Sequence, residues 1–194
     1  MFKLVESLGI CHTIITEEKK TKTGEKYIAY NASSPDELAL VNGARHLGFA
    51  FRERDEDGNM VIDMLNTGEV KKYKLLNLIE FDSARKRMTV VVKTPDDRIL
   101  VVCKGADSII EKRLKPNQKA LKSTNQFLED YATQGLRTLL IASKYIEEQE
   151  YISWSDKYNK ALTSINRDKE CNEVAELLEI NFDLIGSTAI EDKL

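Results

Sequence analysis

An aromatic side chain beside a run of cations suits a flat, negatively charged ligand. The segment Leu76–Thr94, LNLIEFDSARKRMTVVVKT, contains both. Phe81 offers a π face on which a purine could stack, an interaction of about 1–3 kcal/mol per base. Asp82-Ser83 follow at once, so the apolar run ends at the ring. Arg85, Lys86 and Arg87 come next. Strand parity sets Lys86 on the side of Met88, Val90 and Val92, and turns Arg85 and Arg87 the other way. Two plainer readings stand beside this one. Phe81 is a further core residue, and the three cations form a solvated edge that discourages strand aggregation.

Three more places carry similar chemistry. Lys104 ends the apolar run of VVCKGADSII, Val101–Ile110, and Gly105 lets backbone or ligand come close. A helix start with free amides follows, and a cation together with a helix start suits an anion. A plain strand-to-helix turn with a solvated lysine competes with that reading. In GLRT, Gly135–Thr138, Arg137 lies between a helix end and a strand start. A guanidinium there can clamp a phosphate with two parallel hydrogen bonds or serve the helix dipole. Glu37 stands three residues after Ser34, the capping-box spacing. Its carboxylate could also accept from an adenine amino group or order a lysine.

Other chemistries find little support. The chain of 194 residues has a net charge of −3, which gives no global basic field for nucleic acid. Its 42% apolar and 31% charged residues are ordinary for a soluble, well-cored domain. No apolar run approaches the length of a membrane span, and no secretory leader opens the chain. Cys11, Cys103 and Cys171 are odd in number and unclustered, which favours reduced thiols in a cytosolic setting. Cys11-His12 lacks the further ligands that a metal needs. There is no Gly-x-Ser-x-Gly elbow, no Gly-x-x-x-x-Gly-Lys loop and no Gly-x-Gly-x-x-Gly loop. A nucleotide would have to be held by another device. TKTG at Thr21–Gly24 has Thr where a phosphorylated Asp-Lys-Thr-Gly motif has its nucleophile, and it lies in a charged loop.

The elements that must position these residues are legible in outline. Phe2–Ile15 begins helical and becomes extended. Glu17–Lys26 reads as a solvated turn broken by Gly24, and Tyr27–Ala32 as a short strand. A helix starts at Ser34, with Pro35 in its first position, and ends at Gly48. Strands follow at 49–54, 60–65, 70–80, 86–93 and 99–104, joined by the tight turns EDGN, NTGE and TPDD. Such short turns imply antiparallel pairing. Helices are predicted at 106–114, 119–134, 151–165 and 169–178, and strands at 137–146 and 182–190. The pattern is α+β: a twisted, mainly antiparallel sheet of about six or seven strands flanked by helices.

Five motifs in this order, SSPDE, EFDSARKRM, CKGAD, GLRT and GSTAIEDKL, resemble the P-type ATPases. The forms Ser-Pro-Asp-Glu, Arg-Lys-Arg-Met and Lys-Gly-Ala-Asp look like the type-IV branch, the phospholipid flippases. The resemblance covers nearly the whole chain and implies the nucleotide-binding domain, with residues 1–185 forming that domain and 186–194 starting the return into a phosphorylation domain. It implies ATP as ligand, with adenine on Phe81, Lys104 as pocket lysine, Arg137 on the phosphate side and Glu37 as pocket glutamate. Ser83 and Lys86 match further pocket positions. Met88 replaces a polar residue of some cation pumps and receives no ligand role.

The phosphorylated Asp, the Thr-Gly-Asp and Gly-Asp-Gly motifs and every membrane helix are missing, so the resemblance implies an excised piece that binds Mg-ATP without hydrolysing it. The magnesium ligands belong to the phosphorylation domain. The implied partners are that domain, the membrane domain, a phospholipid substrate and an accessory subunit, on the cytoplasmic side of a membrane. The alternatives are a cation-pump relative and a docking module that binds no nucleotide on its own.

Overall fold

The computed structural model describes residues 2–191. The strands β3 (Phe49–Arg54), β4 (Asn59–Met64), β5 (Val70–Asp82), β6 (Arg87–Lys93), β7 (Ile99–Gly105), β8 (Arg137–Ile146) and β9 (Asp183–Ile190) form one seven-stranded sheet. Their spatial order is their chain order, and every neighbouring pair is antiparallel. The turns between β3 and β7 are short, which leaves adjacent antiparallel pairing as the direct solution. This is the α+β architecture that the sequence implies.

Both faces of the sheet are covered, so its middle strands carry almost unbroken apolar runs. Arg87–Val92 and Ile99–Gly105 are buried throughout. On one face, Met88, Val90, Val92, Leu100, Val102 and Ile141 pack against α1 (Phe2–Ile10) and α2 (Pro35–His46). On the other, Val91, Val101, Cys103, Leu140 and Ala142 pack under α3 (Asp107–Ile110), α4 (Leu121–Thr133), α5 (Glu148–Leu162) and α6 (Arg167–Leu178). Trp154 of α5 belongs to this second layer. It stacks on Tyr158 with ring centroids 5.0 Å apart and donates its indole N–H to the Val174 carbonyl at 2.9 Å. Leu4 of α1 packs against Gly186 of β9.

Several expectations need correction. Glu17–Lys26 is not a simple turn. Strands β1 (Ile15–Lys20) and β2 (Lys26–Asn31) pair antiparallel as a separate ribbon, and only Thr21–Glu25 turns. Its outer residues are charged and exposed, so no apolar alternation marked it. The ion pair Lys26–Glu18, at 2.8 Å, crosses between its strands. The helix expected over 106–114 is a four-residue α turn followed by a 3₁₀ turn, Glu111–Arg113. α5 starts at Glu148, three residues before its expected start. Ser34 has extended N-cap geometry, φ −119° and ψ 128°, but makes no side-chain cap. The capping box is not formed, because Glu37 is engaged elsewhere. Of the segment 186–194, residues 186–190 lie in β9, and residues 192–194 lie outside the described residues.

One close contact sets the seat of α1. A Cβ on Gly9 would overlap the Phe49 Cδ1 atom and stand 2.7 Å from its Cε1. Phe49 is almost fully buried, so its ring can yield only by displacing its core neighbours. Alanine would gain up to about 1 kcal/mol of helix propensity, against an overpacking cost of about 1–3 kcal/mol. Gly9→Ala is therefore expected to destabilise the fold by about 1 kcal/mol, read as a lower urea midpoint. An unchanged or higher midpoint would show that Phe49 yields.

Candidate functional site

A cavity of about 330 Å³ opens on the α1/α2 face of the sheet. Its apolar lining is Leu40, Met88 and Leu139, and its polar lining includes Thr13, Asp36, Glu37, Glu80, Lys104 and Arg137. Phe81 stands at its edge with 63% of its surface exposed. This excludes the reading of Phe81 as a core residue.

The ring is aimed by an irregularity in the β5–β6 ladder. Ile79 faces Thr89, but the next pair is Asp82 with Arg87, so β5 has an extra residue at Glu80-Phe81. In a regular strand these two would point to opposite faces. The bulge re-aims them, and both line the cavity.

Lys104 sits opposite Met88 on β7 and is only 7% exposed. Its Nζ lies 3.3 Å from Glu37 Oε1. Glu37 Oε2 accepts the Thr13 hydroxyl at 2.6 Å and the Thr13 amide at 3.3 Å. That set of bonds is why Glu37 leaves the capping box: it binds across from α2 to the α1–β1 link and to β7. Its neighbour Asp36 accepts from Arg137 Nη1 at 2.8 Å. Consecutive carboxylates at the start of α2 thus pair with the two pocket cations.

The α1–β1 link is shaped by His12, which is fully buried. The Ile14 amide donates to Nδ1 at 3.1 Å, so the ring proton is on Nε2, which donates to the Gly9 carbonyl at 2.9 Å. Burial, reinforced by the nearby Lys104 charge, lowers the His12 pKa to about 3. Burial also raises the Cys11 thiol to about 11. Among the described residues no group of His, Cys, Asp and Glu is arranged to hold a metal ion.

Of the residues singled out in the sequence, Glu37, Phe81, Lys104 and Arg137 line this one cavity. Ser83 and Lys86 do not line it. Both are exposed in the β5–β6 turn, where Lys86 adopts a left-handed φ of 53°. Arg85 and Arg87 are not a solvated edge. They are 7% and 3% exposed and lie on the far face, bound to Glu179, which has no exposed surface. Sequence reasoning missed Glu179, Thr13, Asp36 and Glu80. Asp36 and Glu80 adjoin residues already singled out, whereas Thr13 and Glu179 come from distant segments and carry no local signal.

This fold and cavity define a class. Residues 3–194 match the family model described as "P-type ATPase, cytoplasmic domain N", and the chain belongs to that family. Its relatives place it on the type-IV branch. Phospholipid-transporting ATPase dnf2 of Schizosaccharomyces pombe is 46% identical over 191 residues, covering 97% of this chain and 13% of that protein. Phospholipid-transporting ATPase DRS2 of Saccharomyces cerevisiae is 46% identical over 189 residues, 96% of this chain and 14% of that protein. Phospholipid-transporting ATPase FetA of Mus musculus is 42% identical over 189 residues, 96% and 15% respectively. The chain therefore spans only 13–15% of the length of these curated relatives. No helix among the described residues is long and apolar enough to cross a membrane.

The buried His12 gives a pH dependence with a definite sign. The folded state leaves it neutral down to about pH 3, while the unfolded state takes a proton near pH 6.5. Its contribution is therefore fully present above pH 6.5 and is lost as pH falls toward 3. Between pH 6 and 5, unfolding free energy is expected to fall by about 1 kcal/mol per pH unit. Urea titrations along this range check it. A flat profile would mean that His12 protonates in place.

Proposed function

We propose that the cavity is an ATP site, with adenine against Phe81 and the phosphates toward Lys104 and Arg137. The observation that carries this reading is that an exposed aromatic ring, a buried lysine and an arginine share one opening of ligand size. The donor set fits the ligand. A ring faces a base, cations face phosphates, and the Glu37 and Glu80 carboxylates are acceptors suited to an amino group. Ser83 and Lys86, in the turn beside the ring, are within this proposal as rim residues. Residues 1–185 would be the nucleotide-binding domain, and 186–194 the start of a return segment.

In the full-length parent, the domain would present the γ-phosphate to a catalytic Asp of a neighbouring phosphorylation domain. The domain's own contribution is positioning. Magnesium would accompany the phosphates and draw its protein ligands from that neighbour. The names of the relatives support phospholipid translocation across a membrane as the parent's work. The domain would then lie on the cytoplasmic side, and an accessory subunit would act on the parent elsewhere. This chain, without the Asp, binds ATP and leaves it intact.

Binding should be weak. One stack contributes about 2 kcal/mol and charged hydrogen bonds about 2 kcal/mol each. Association costs at least about 4 kcal/mol. Three such bonds leave about 4 kcal/mol, a dissociation constant on the order of a millimolar. Lys104 and Arg137 already have carboxylate partners, so a phosphate exchanges partners rather than filling vacant donors.

Titration with ATP, followed by proton–nitrogen NMR, is expected to saturate in the millimolar range and to shift Phe81, Gly105 and Thr138. Phe81→Ala should weaken binding at least about tenfold while leaving stability within about 0.5 kcal/mol, because the ring is exposed. Nanomolar saturation, or none at tens of millimolar, contradicts the reading. A Phe81→Ala variant that binds as the parent does so as well.

Lys104→Ala should weaken ATP binding and flatten its salt dependence, since a charge partner of the phosphates is lost. Affinity measured at low and high salt tests this. Unchanged affinity removes Lys104 from the phosphate site.

A further inference from the structure

We propose that Glu179 is the positioning residue for Phe81, holding from the opposite face of the sheet the hairpin that presents the ring to the cavity. Its effect on nucleotide binding rests on the ATP reading above. Its effect on the hairpin rests on geometry alone.

Glu179 follows the last turn of α6 and has no exposed surface. Its carboxylate accepts from Arg85 Nη2, from Arg87 Nε at 2.7 Å and Nη2 at 2.6 Å, and from the Thr89 hydroxyl at 2.6 Å. Arg85 lies within the β5–β6 turn, and Arg87 and Thr89 follow it in β6. Glu176, half exposed, takes the remaining reach of Arg87 at 2.5 Å and binds Arg113 at 2.8 Å.

Arg85 and Arg87 bracket Lys86, the residue in the left-handed conformation. Arg87 pairs with Asp82 across the ladder, and that pair closes the bulge carrying Phe81. The Asp82 carboxylate accepts the Ala84 and Arg85 amides at 2.8 and 3.1 Å, and the Asp82 carbonyl accepts the Lys86 amide at 2.6 Å. The far side of the turn rests on β7. Ala106 donates its amide to the Lys86 carbonyl at 3.1 Å, and a Cβ on Gly105 would come within 2.5 Å of that carbonyl oxygen.

A short covalent and hydrogen-bonded route therefore joins the Glu179 carboxylate to the ring, through Arg87 and Asp82. Two guanidinium groups stay buried only while a buried anion faces them. Without Glu179 they would move toward water, and they are attached on both sides of the turn. The turn would move with them, and Phe81 would leave the cavity edge.

The test substitutes Glu179→Gln, which keeps the shape and removes the charge. In the ligand-free chain, amide hydrogen exchange at residues 80–86 and at Ala106 is expected to rise about tenfold beyond any change in Val90–Val92. ATP and adenosine should both bind about tenfold more weakly, because both use the ring. Glu179→Asp, which restores the charge, should recover part of each effect. If the Gln variant does not fold, Arg85→Leu decides by the same measurements. It leaves Arg87 and Glu179 as a neutral pair, and a roughly threefold change in the same direction is expected.

A folded variant with a lower melting temperature but parental exchange in the turn and parental affinity would overturn the proposal and leave Glu179 a purely structural residue. If the parent chain binds no ATP, the ATP reading falls, while exchange in the turn still decides the role of Glu179.

Discussion

A carboxylate without solvent contact sets the terms for much of this domain. Glu179 faces two guanidinium groups and a hydroxyl in the layer between the sheet and α6. Removing the Glu179 charge would leave both guanidinium groups without their buried anion in a low-dielectric interior, at a cost of about 3–5 kcal/mol. Apolar side chains of similar volume would fill the space as stably. What the charges add is geometric: an arginine fork and a carboxylate meet in few orientations. The β5–β6 turn, Gly105 beneath it and the bulge beside it are thereby tied to the helical layer on the opposite face.

The cavity is built from the same economy of charge. Its two cations are paired with consecutive residues, Asp36 and Glu37, at the start of α2. α2 is thus held to β7 and β8 by ion pairs and to the α1–β1 link by Thr13. In the proposed role, a phosphate competes with these carboxylates for the same donors. A site of that kind binds loosely and releases readily, which suits a ligand that must be passed to another domain.

The sheet was largely legible because its signals are local. The turns between β3 and β7 carry recognisable residues, and the Val-rich strands β6 and β7 could only be buried. β8 ran from Arg137 to Ile146 as expected. Strand β2 was read, as Tyr27–Ala32, but its partner β1 was hidden because it buries almost nothing, and its charges look like those of a loop. Glu37 fitted a local capping rule, but a distant lysine and threonine outcompeted that rule. Three cavity residues, Phe81, Lys104 and Arg137, were found from aromatic and cationic side chains at strand ends, and Glu37 from its spacing after Ser34. The parity of Arg85 and Arg87 was also readable, and it separated them from Lys86. Their partner was not readable, since Glu179 lies more than ninety residues on, and one glutamate just past the end of a charged helix carries no mark of burial.

The sole tryptophan in the sequence is Trp154, held between Tyr158 and the Val174 carbonyl in the helical layer. The full thickness of the sheet separates that indole from the cavity. Its intrinsic emission is therefore a gauge of whether α5 and α6 remain docked, and it has no direct contact with what occupies the opposite face. A fluorophore that reports occupancy has to be introduced on the cavity side, leaving the native one as an internal standard for integrity in the same cuvette.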